Sequence, residues 1–261
     1  MNKHVGIVGC SAEGAALCYR TLCMEAPAVM GTHMHPEVSM HTHPLARYMA
    51  HIRADDWDGV ANLMIASARK LASIGADFAI CPDNTIHQAL DRVVARSPIP
   101  WLDIADVVAR HARAVGATTL AITGTKYLMT GPVYPLALAR HDIAHRIPDE
   151  SDRERIDTII FDELVNGIFT DESRRYFNSV VAKLRDAGCD GVVLGCTEIP
   201  LLVDTADCPL PTFDSTRLLA RAALAEAVGS ASLGTGMPSG RPLSDPDLGV
   251  ITRRRVRGGS T

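Results

Sequence analysis

No apolar run in this 261-residue chain approaches the roughly 20 residues that a helix needs to cross a bilayer, so no segment reads as a membrane span. Positive charge is not in excess either. Lysine and arginine number 26 against 30 aspartates and glutamates, a formal net charge of −4. No basic footprint therefore marks the chain for nucleic acid or an anionic membrane surface. The cysteines form no disulfide framework: there are seven, an odd count, scattered at positions 10, 18, 23, 81, 189, 196 and 208, which fits a reducing cytoplasm. Met1-Asn2-Lys3-His4 leads almost at once into a strand pattern, without the apolar stretch and small-residue cleavage site of a signal peptide. Gly6, Gly9 and Gly14 lack the G-x-G-x-x-G spacing, so no dinucleotide fingerprint is present. The expectation is a soluble cytoplasmic protein whose partner is a small molecule, with neither nucleic acid nor membrane involved.

What the chain does have is an ordinary globular composition, 47% hydrophobic and 21% charged, with length enough for two modest α/β domains. Val5-Gly6-Ile7-Val8-Gly9 reads as a buried strand, followed by the polar turn Cys10-Ser11-Ala12-Glu13-Gly14 and an apolar helix through Leu22. That is the opening of a doubly wound unit. Residues 31–44 form a loop carrying His33, His35, His41 and His43, with a short strand around 37–40. A helix is expected over 57–73, apolar at 60, 63, 64, 65, 68 and 71 and stopped by Gly75. A strand at 76–80 follows. Ile99-Pro100-Trp101-Leu102-Asp103 closes the first half, and a helix over 104–115 leads into the second.

The second half repeats the opening: Thr118-Thr119-Leu120-Ala121-Ile122 runs into the polar turn Thr123-Gly124-Thr125-Lys126. A helix carrying Ile156, Ile159, Ile160 and Leu164 and another over 174–187 precede a strand at 191–194. Leu210-Pro211-Thr212-Phe213-Asp214 is a short strand, and Asp214 or Ser215 caps a last helix to Val228. Beyond Gly229 the composition turns to Gly, Ser, Pro and Arg, which reads as a disordered tail over 229–261 with Arg253-Arg254-Arg255 as a solvated basic cluster.

Two segments carry the chemistry. Cys81-Pro82-Asp83-Asn84-Thr85-Ile86-His87 and Leu194-Gly195-Cys196-Thr197-Glu198-Ile199-Pro200 each follow a buried strand, and so present small polar groups where open α/β sheets bind ligands. Two such strand ends suggest two similar halves closing on one cleft. Cys196 lies at such an end beside the backbone N–H groups of the next turn, surroundings that stabilise a thiolate. Cys10, Cys18, Cys23, Cys189 and Cys208 read as packing residues, with Cys10 near the cleft. Cys81 is expected to be buried behind its loop, by strand alternation and the intervening Pro82. Asn84, Thr85 and Thr197 offer amide, hydroxyl and helix-start N–H donors to a carboxylate. Ser11, Thr125 and Lys126 stand at the other two strand ends. Glu198 either reaches across the cleft or caps its own helix, and His87 either holds its loop or faces substrate. The histidine pairs at 33/35 and 41/43 are metal-capable, but no Cys, Asp or Glu stands at a confirming spacing. They are read as a polar loop over the cleft, with no metal.

The pair of loops resembles the aspartate/glutamate racemase family, in which one loop runs P-C-N-T-x-H and the other G-C-T-E; the likeness spans about 5–228 and includes His35-Pro36-Glu37. The second loop matches in full, while the family's first cysteine is replaced by Asp83. The resemblance implies two doubly wound α/β lobes with mostly parallel sheets and the active site between them. It divides the chain into 1–104 with 210–228 returning to it, and 105–209. It also implies a homodimer and amino-acid racemisation without a cofactor, with the N-T and C-T pairs binding the substrate carboxylate. Such racemisation needs a base on one face of Cα and an acid on the other. Asp83 is then the second proton carrier beside Cys196, or binds a substrate ammonium or a water, or caps the helix that begins at Asn84. His41 falls near the arginine, and Val165 near the lysine, with which dicarboxylate-specific members clamp a side-chain carboxylate. Two rivals stand beside the racemase: a single-thiol lyase or isomerase like arylmalonate decarboxylase or maleate isomerase, and a non-catalytic small-molecule binding protein.

Overall fold

The computed structural model describes residues 2–229; the tail expected after Gly229 lies outside the described residues. Val5–Gly9 (β1), Val38–Thr42 (β2) and Phe78–Ile80 (β3) make one parallel sheet in the order β2-β1-β3. Thr119–Thr123 (β4), Ala144–Arg146 (β5), Gly191–Leu194 (β6) and Thr212–Asp214 (β7) make a second, also parallel, in the order β5-β4-β6-β7. Strands β1, β3 and β6 are buried along their whole length, as parallel strands covered by helices on both faces must be.

The two sheets are one motif used twice, with β1, β2 and β3 answering to β4, β5 and β6. Even the fourth position is repeated. In the first sheet it is a single parallel bridge between Ala79 and Trp101, made by Ala79 N–H on the Pro100 carbonyl and Leu102 N–H on that of Ala79. In the second sheet it is β7. Both positions share a pattern, Ile99-Pro100-Trp101-Leu102-Asp103 and Leu210-Pro211-Thr212-Phe213-Asp214. Each ends on an aspartate that caps a helix: Asp103 accepts from the N–H groups of Ala105 and Asp106, and Asp214 from that of Arg217.

Those two capped helices cross between the halves. Ile104–Ala114 packs on Val133–Ala139 of the second half, Ser215–Val228 packs on Ala12–Glu25 of the first, and the two pack on each other. They fill one core, in which Val5, Ile7 and Ile80 of the first sheet share a cluster with Leu120, Ile122, Val193 and Phe213 of the second. Burying a side chain such as Leu219 in this layer contributes about 1.5–3 kcal/mol, so the lobes are joined by a common interior. The outer faces are covered separately, by Val60, Met64 and Leu71 of Trp57–Ser73 on the first sheet and by Phe177 and Val181 of Asp171–Asp186 on the second.

One expected boundary moves. Residues 210–214 do not return to the first lobe: β7 pairs with β6 in the register Val193↔Phe213, where it satisfies the backbone groups along that strand's edge. The return begins at Ser215. The second departure lies in the helix around 150–164, which is α-helical only over Glu150–Thr158 and then widens into a π-turn, Ile159–Glu163. Among the described residues no helix is long and apolar enough to cross a membrane.

Candidate active site

The carboxyl ends of β1, β3, β4 and β6 converge on one cavity between the lobes, lined by Cys10, Ser11, Asp83, Asn84, Thr85, Thr125, Cys196, Thr197 and Glu198 among others. Duplication explains much of its layout. Ser11 caps the helix after β1 by accepting from Gly14 N–H, and Thr125 caps the helix after β4 by accepting from Leu128 N–H. Ser11 Oγ lies 3.1 Å from Thr197 Oγ1, and Thr85 Oγ1 lies 3.0 Å from Thr125 Oγ1. Each hydroxyl pair ties one lobe to the other. Gly14 permits the first contact, since a Cβ there would sit 2.4 Å from Thr197 Cγ2. The same duplication makes Asp83 and Cys196 counterparts, one from each lobe.

Cys196 is half-buried and its Sγ donates to Glu198 Oε2 at 3.0 Å; Thr197 Oγ1 donates to the same oxygen at 2.7 Å. With the Thr197 proton committed to Glu198, the hydrogen bond between Ser11 and Thr197 runs from Ser11. The expected thiolate setting is therefore reversed. Burial pushes the Cys196 thiol well above its usual value, and the charge and hydrogen bond of Glu198 push it further. At neutral pH Cys196 is a thiol. Glu198 is only 2% exposed and makes no side-chain cap; its carboxylate accepts from its own loop, and its charge acts on Asp83 across the cavity.

Asp83 is also half-buried. Burial raises its pKa above the ordinary carboxylate value, the charge of Glu198 adds to this, and hydrogen bonds from the Cys10 thiol and Ile86 N–H pull it partly back. The Ile86 contact, 3.5 Å to Oδ1, gives Asp83 a weak capping role beside its place in the cavity. Cys81 lies buried behind the loop as expected.

Asn84 lines the cavity but its amide is spent on structure. Tyr134 Oη donates to Asn84 Oδ1 at 2.7 Å, Asn84 Nδ2 donates to Ser215 Oγ at 2.9 Å, and Ser215 Oγ donates to the Leu194 carbonyl at 3.0 Å. This buried chain pins the Asp83 loop to the end of β6. His87 holds the same loop: it is buried, with Nε2 3.0 Å from the Cys81 carbonyl and Nδ1 3.5 Å from Asp103.

Two expected ligand-facing residues stand elsewhere. His41, on the edge strand β2, places Nδ1 2.9 Å from Ser67 Oγ and Nε2 2.9 Å from Lys70 Nζ, both on the helix Trp57–Ser73. Lys126 starts the helix after β4 and turns outward, with its N–H on Asp157 and its ammonium 4.0 Å from the same carboxylate. Neither lines the cavity. A feature not foreseen is an apolar wall. Leu45, Met49 and Ile52 form one face of the helix Leu45–Arg53, and Ile160, Phe161 and Val165 project from the π-turn region opposite. The 45/49/52 spacing is a helical stripe visible in sequence; the π-turn, a form enriched at functional sites, is not.

The Asp/Glu/hydantoin racemase family model matches residues 7–223. A candidate Asp/Glu racemase from Yersinia pestis is 31% identical over 87% of this chain and all of its own, with a TM-score of 0.80. An aspartate racemase homologue from Pyrococcus horikoshii is 25% identical over 88% of this chain and all of its own, with a TM-score of 0.76. Glutamate racemase from Francisella tularensis, solved with D-glutamate, shares the fold at 15% identity, covering 90% of this chain and 85% of its own with a TM-score of 0.66.

Proposed function

This chain belongs to the Asp/Glu/hydantoin racemase family, and from that premise we propose that it is a cofactor-independent amino-acid racemase with Asp83 and Cys196 as its two proton carriers. The observation that carries the reading is the pairing of one carboxyl and one thiol, from duplicated positions in the two lobes, across a single cavity. Inversion needs proton removal on one face of Cα and delivery on the other, and general acid–base groups placed this way each contribute about 10²–10⁴-fold. Asp83 as carboxylate removes the proton; Cys196 as thiol delivers one. The enzyme is left with a protonated Asp83 and a Cys196 thiolate, which serve the opposite enantiomer. The substrate carboxylate takes up the carbanion's electrons, and a hydroxyl of the Thr85/Thr125 pair is free to donate to it, because that pair shares only one hydrogen bond. A free Cys196 thiol suits a reducing compartment, and we place the protein in the cytoplasm on that ground.

The active form holds one proton between the two groups. Activity therefore falls below the pKa of Asp83, where both are protonated, and above that of Cys196, where neither is. Both limbs should lie above the ordinary values of 3.8 and 9.0, because burial raises both groups. The negative charge of Glu198 raises both as well, so Glu198→Gln should move both limbs of the kcat/KM profile to lower pH. A shift upward, or an unmoved profile, would contradict the assignment of Asp83 and Cys196 as the titrating pair.

A further inference from the structure

Resting on the racemase reading, we propose that the substrate is an α-amino acid with an uncharged aliphatic side chain, and that dicarboxylic amino acids are rejected. Among the described residues lining the cavity there are two carboxyl groups, Asp83 and Glu198, and no lysine, arginine or histidine. A substrate ammonium is matched to Glu198, the carboxylate that the proton transfer leaves unused. A substrate carboxylate at Cα is served by neutral donors, the Thr85/Thr125 hydroxyls. A second carboxylate on the side chain has nothing to meet it.

The basic groups of the flanking segments are committed elsewhere. Arg47 Nη1 lies 3.3 Å from His43 Nδ1, Lys70 lies on His41, and Lys126 lies toward Asp157. His41 and His43 are both held neutral to lower pH than usual, chiefly by burial and then by neighbouring positive groups. What remains for the side chain is the wall of Leu45, Met49, Ile52, Ile160, Phe161 and Val165. Such a wall gains by excluding water from an aliphatic group, and a carboxylate buried against it without a partner loses far more than it gains. A neutral hydantoin ring fits the wall but offers no ammonium to Glu198, so the free amino acid is the better match.

The test uses the wild-type protein and both enantiomers of alanine, leucine, methionine, aspartate and glutamate, with 5-isobutylhydantoin as a further probe. Racemisation is followed by chiral chromatography and binding by calorimetry. The expected result is turnover and binding of leucine or methionine at least about 100-fold better in kcat/KM than of aspartate or glutamate. Phe161→Ala should then raise KM for leucine while leaving that for alanine nearly unchanged. Preference for a dicarboxylic acid or for the hydantoin overturns the substrate class and leaves the racemase reading standing. Binding of leucine without turnover of any compound keeps the substrate class and removes the racemase reading. If nothing on the panel is bound or turned over, both fall. Equal KM changes for leucine and alanine in Phe161→Ala overturn the wall as the side-chain subsite.

Discussion

Cys196→Ser is expected to lower racemisation by about 10³-fold or more in both directions, with an unchanged fold by circular dichroism and thermal melting. A serine hydroxyl keeps the hydrogen bond to Glu198 Oε2 that the thiol makes at 3.0 Å, so the cavity should stay assembled. What it loses is proton transfer: a hydroxyl is a far weaker acid than a thiol and its anion is not populated near neutral pH. The matching control is Cys81→Ser, buried behind the Asp83 loop, which should cost little. Chiral chromatography of single-enantiomer reactions decides it. Wild-type rates in Cys196→Ser would remove the thiol from the mechanism, and a dead Cys81→Ser would place it there instead.

The second large effect is expected at Asp83. Asp83→Asn keeps size and shape but cannot exchange a proton, so racemisation should fall by about 10²–10⁴-fold from either enantiomer. The two directions must fall together, because free enantiomers have equal energy and kcat/KM is tied by the overall equilibrium. If Asp83 only bound the substrate ammonium or capped the turn at Ile86, the same change would raise KM and leave kcat within a few-fold. Asp83→Cys is the informative companion. It would place a thiol opposite Cys196 and should retain racemase activity that Asp83→Asn has lost.

The single thiol at the two motif positions, 83 and 196, also fits a lyase that decarboxylates a malonate. Against that stands the pair Asp83 and Glu198, which would face both carboxylates of a malonate dianion with no cation among the described lining residues.

Much of the fold is visible in sequence because its strands are buried on both faces and each ends in a polar turn. The runs at 5–11, 76–85, 118–126 and 191–197 mark four of the seven described strands and most of the polar lining of the cavity. What a one-dimensional pattern does not carry is which sheet a short edge segment joins. Residues 210–214 look the same whether they pair with β6 or return to β1, and only the register with β6 decides it. Site residues follow the same division. Asp83, Thr85, Cys196 and Thr197 are fixed by strand ends and do reach the cavity. His41 stands on the edge strand, where its ring meets Ser67 and Lys70 instead of the cleft. Asn84 shows its type but not its partners, since Tyr134 and Ser215 come from distant segments. The state of Cys196 is hidden for a different reason, the depth at which the folded chain buries its thiol. A helix-start setting argues for a thiolate, and burial, followed by the accepting carboxylate of Glu198, overrides it.

In the proposed mechanism protons leave and arrive on opposite faces of Cα through two different side chains. Incubating one enantiomer of the preferred substrate with the wild-type protein in D₂O, and stopping before one-tenth conversion, tests it directly by mass spectrometry of the separated enantiomers. One deuterium at Cα is expected in nearly all of the inverted product, while the unreacted enantiomer stays protiated. Deuterium accumulating in the starting enantiomer without inversion would mean a single base on one face, and would contradict it.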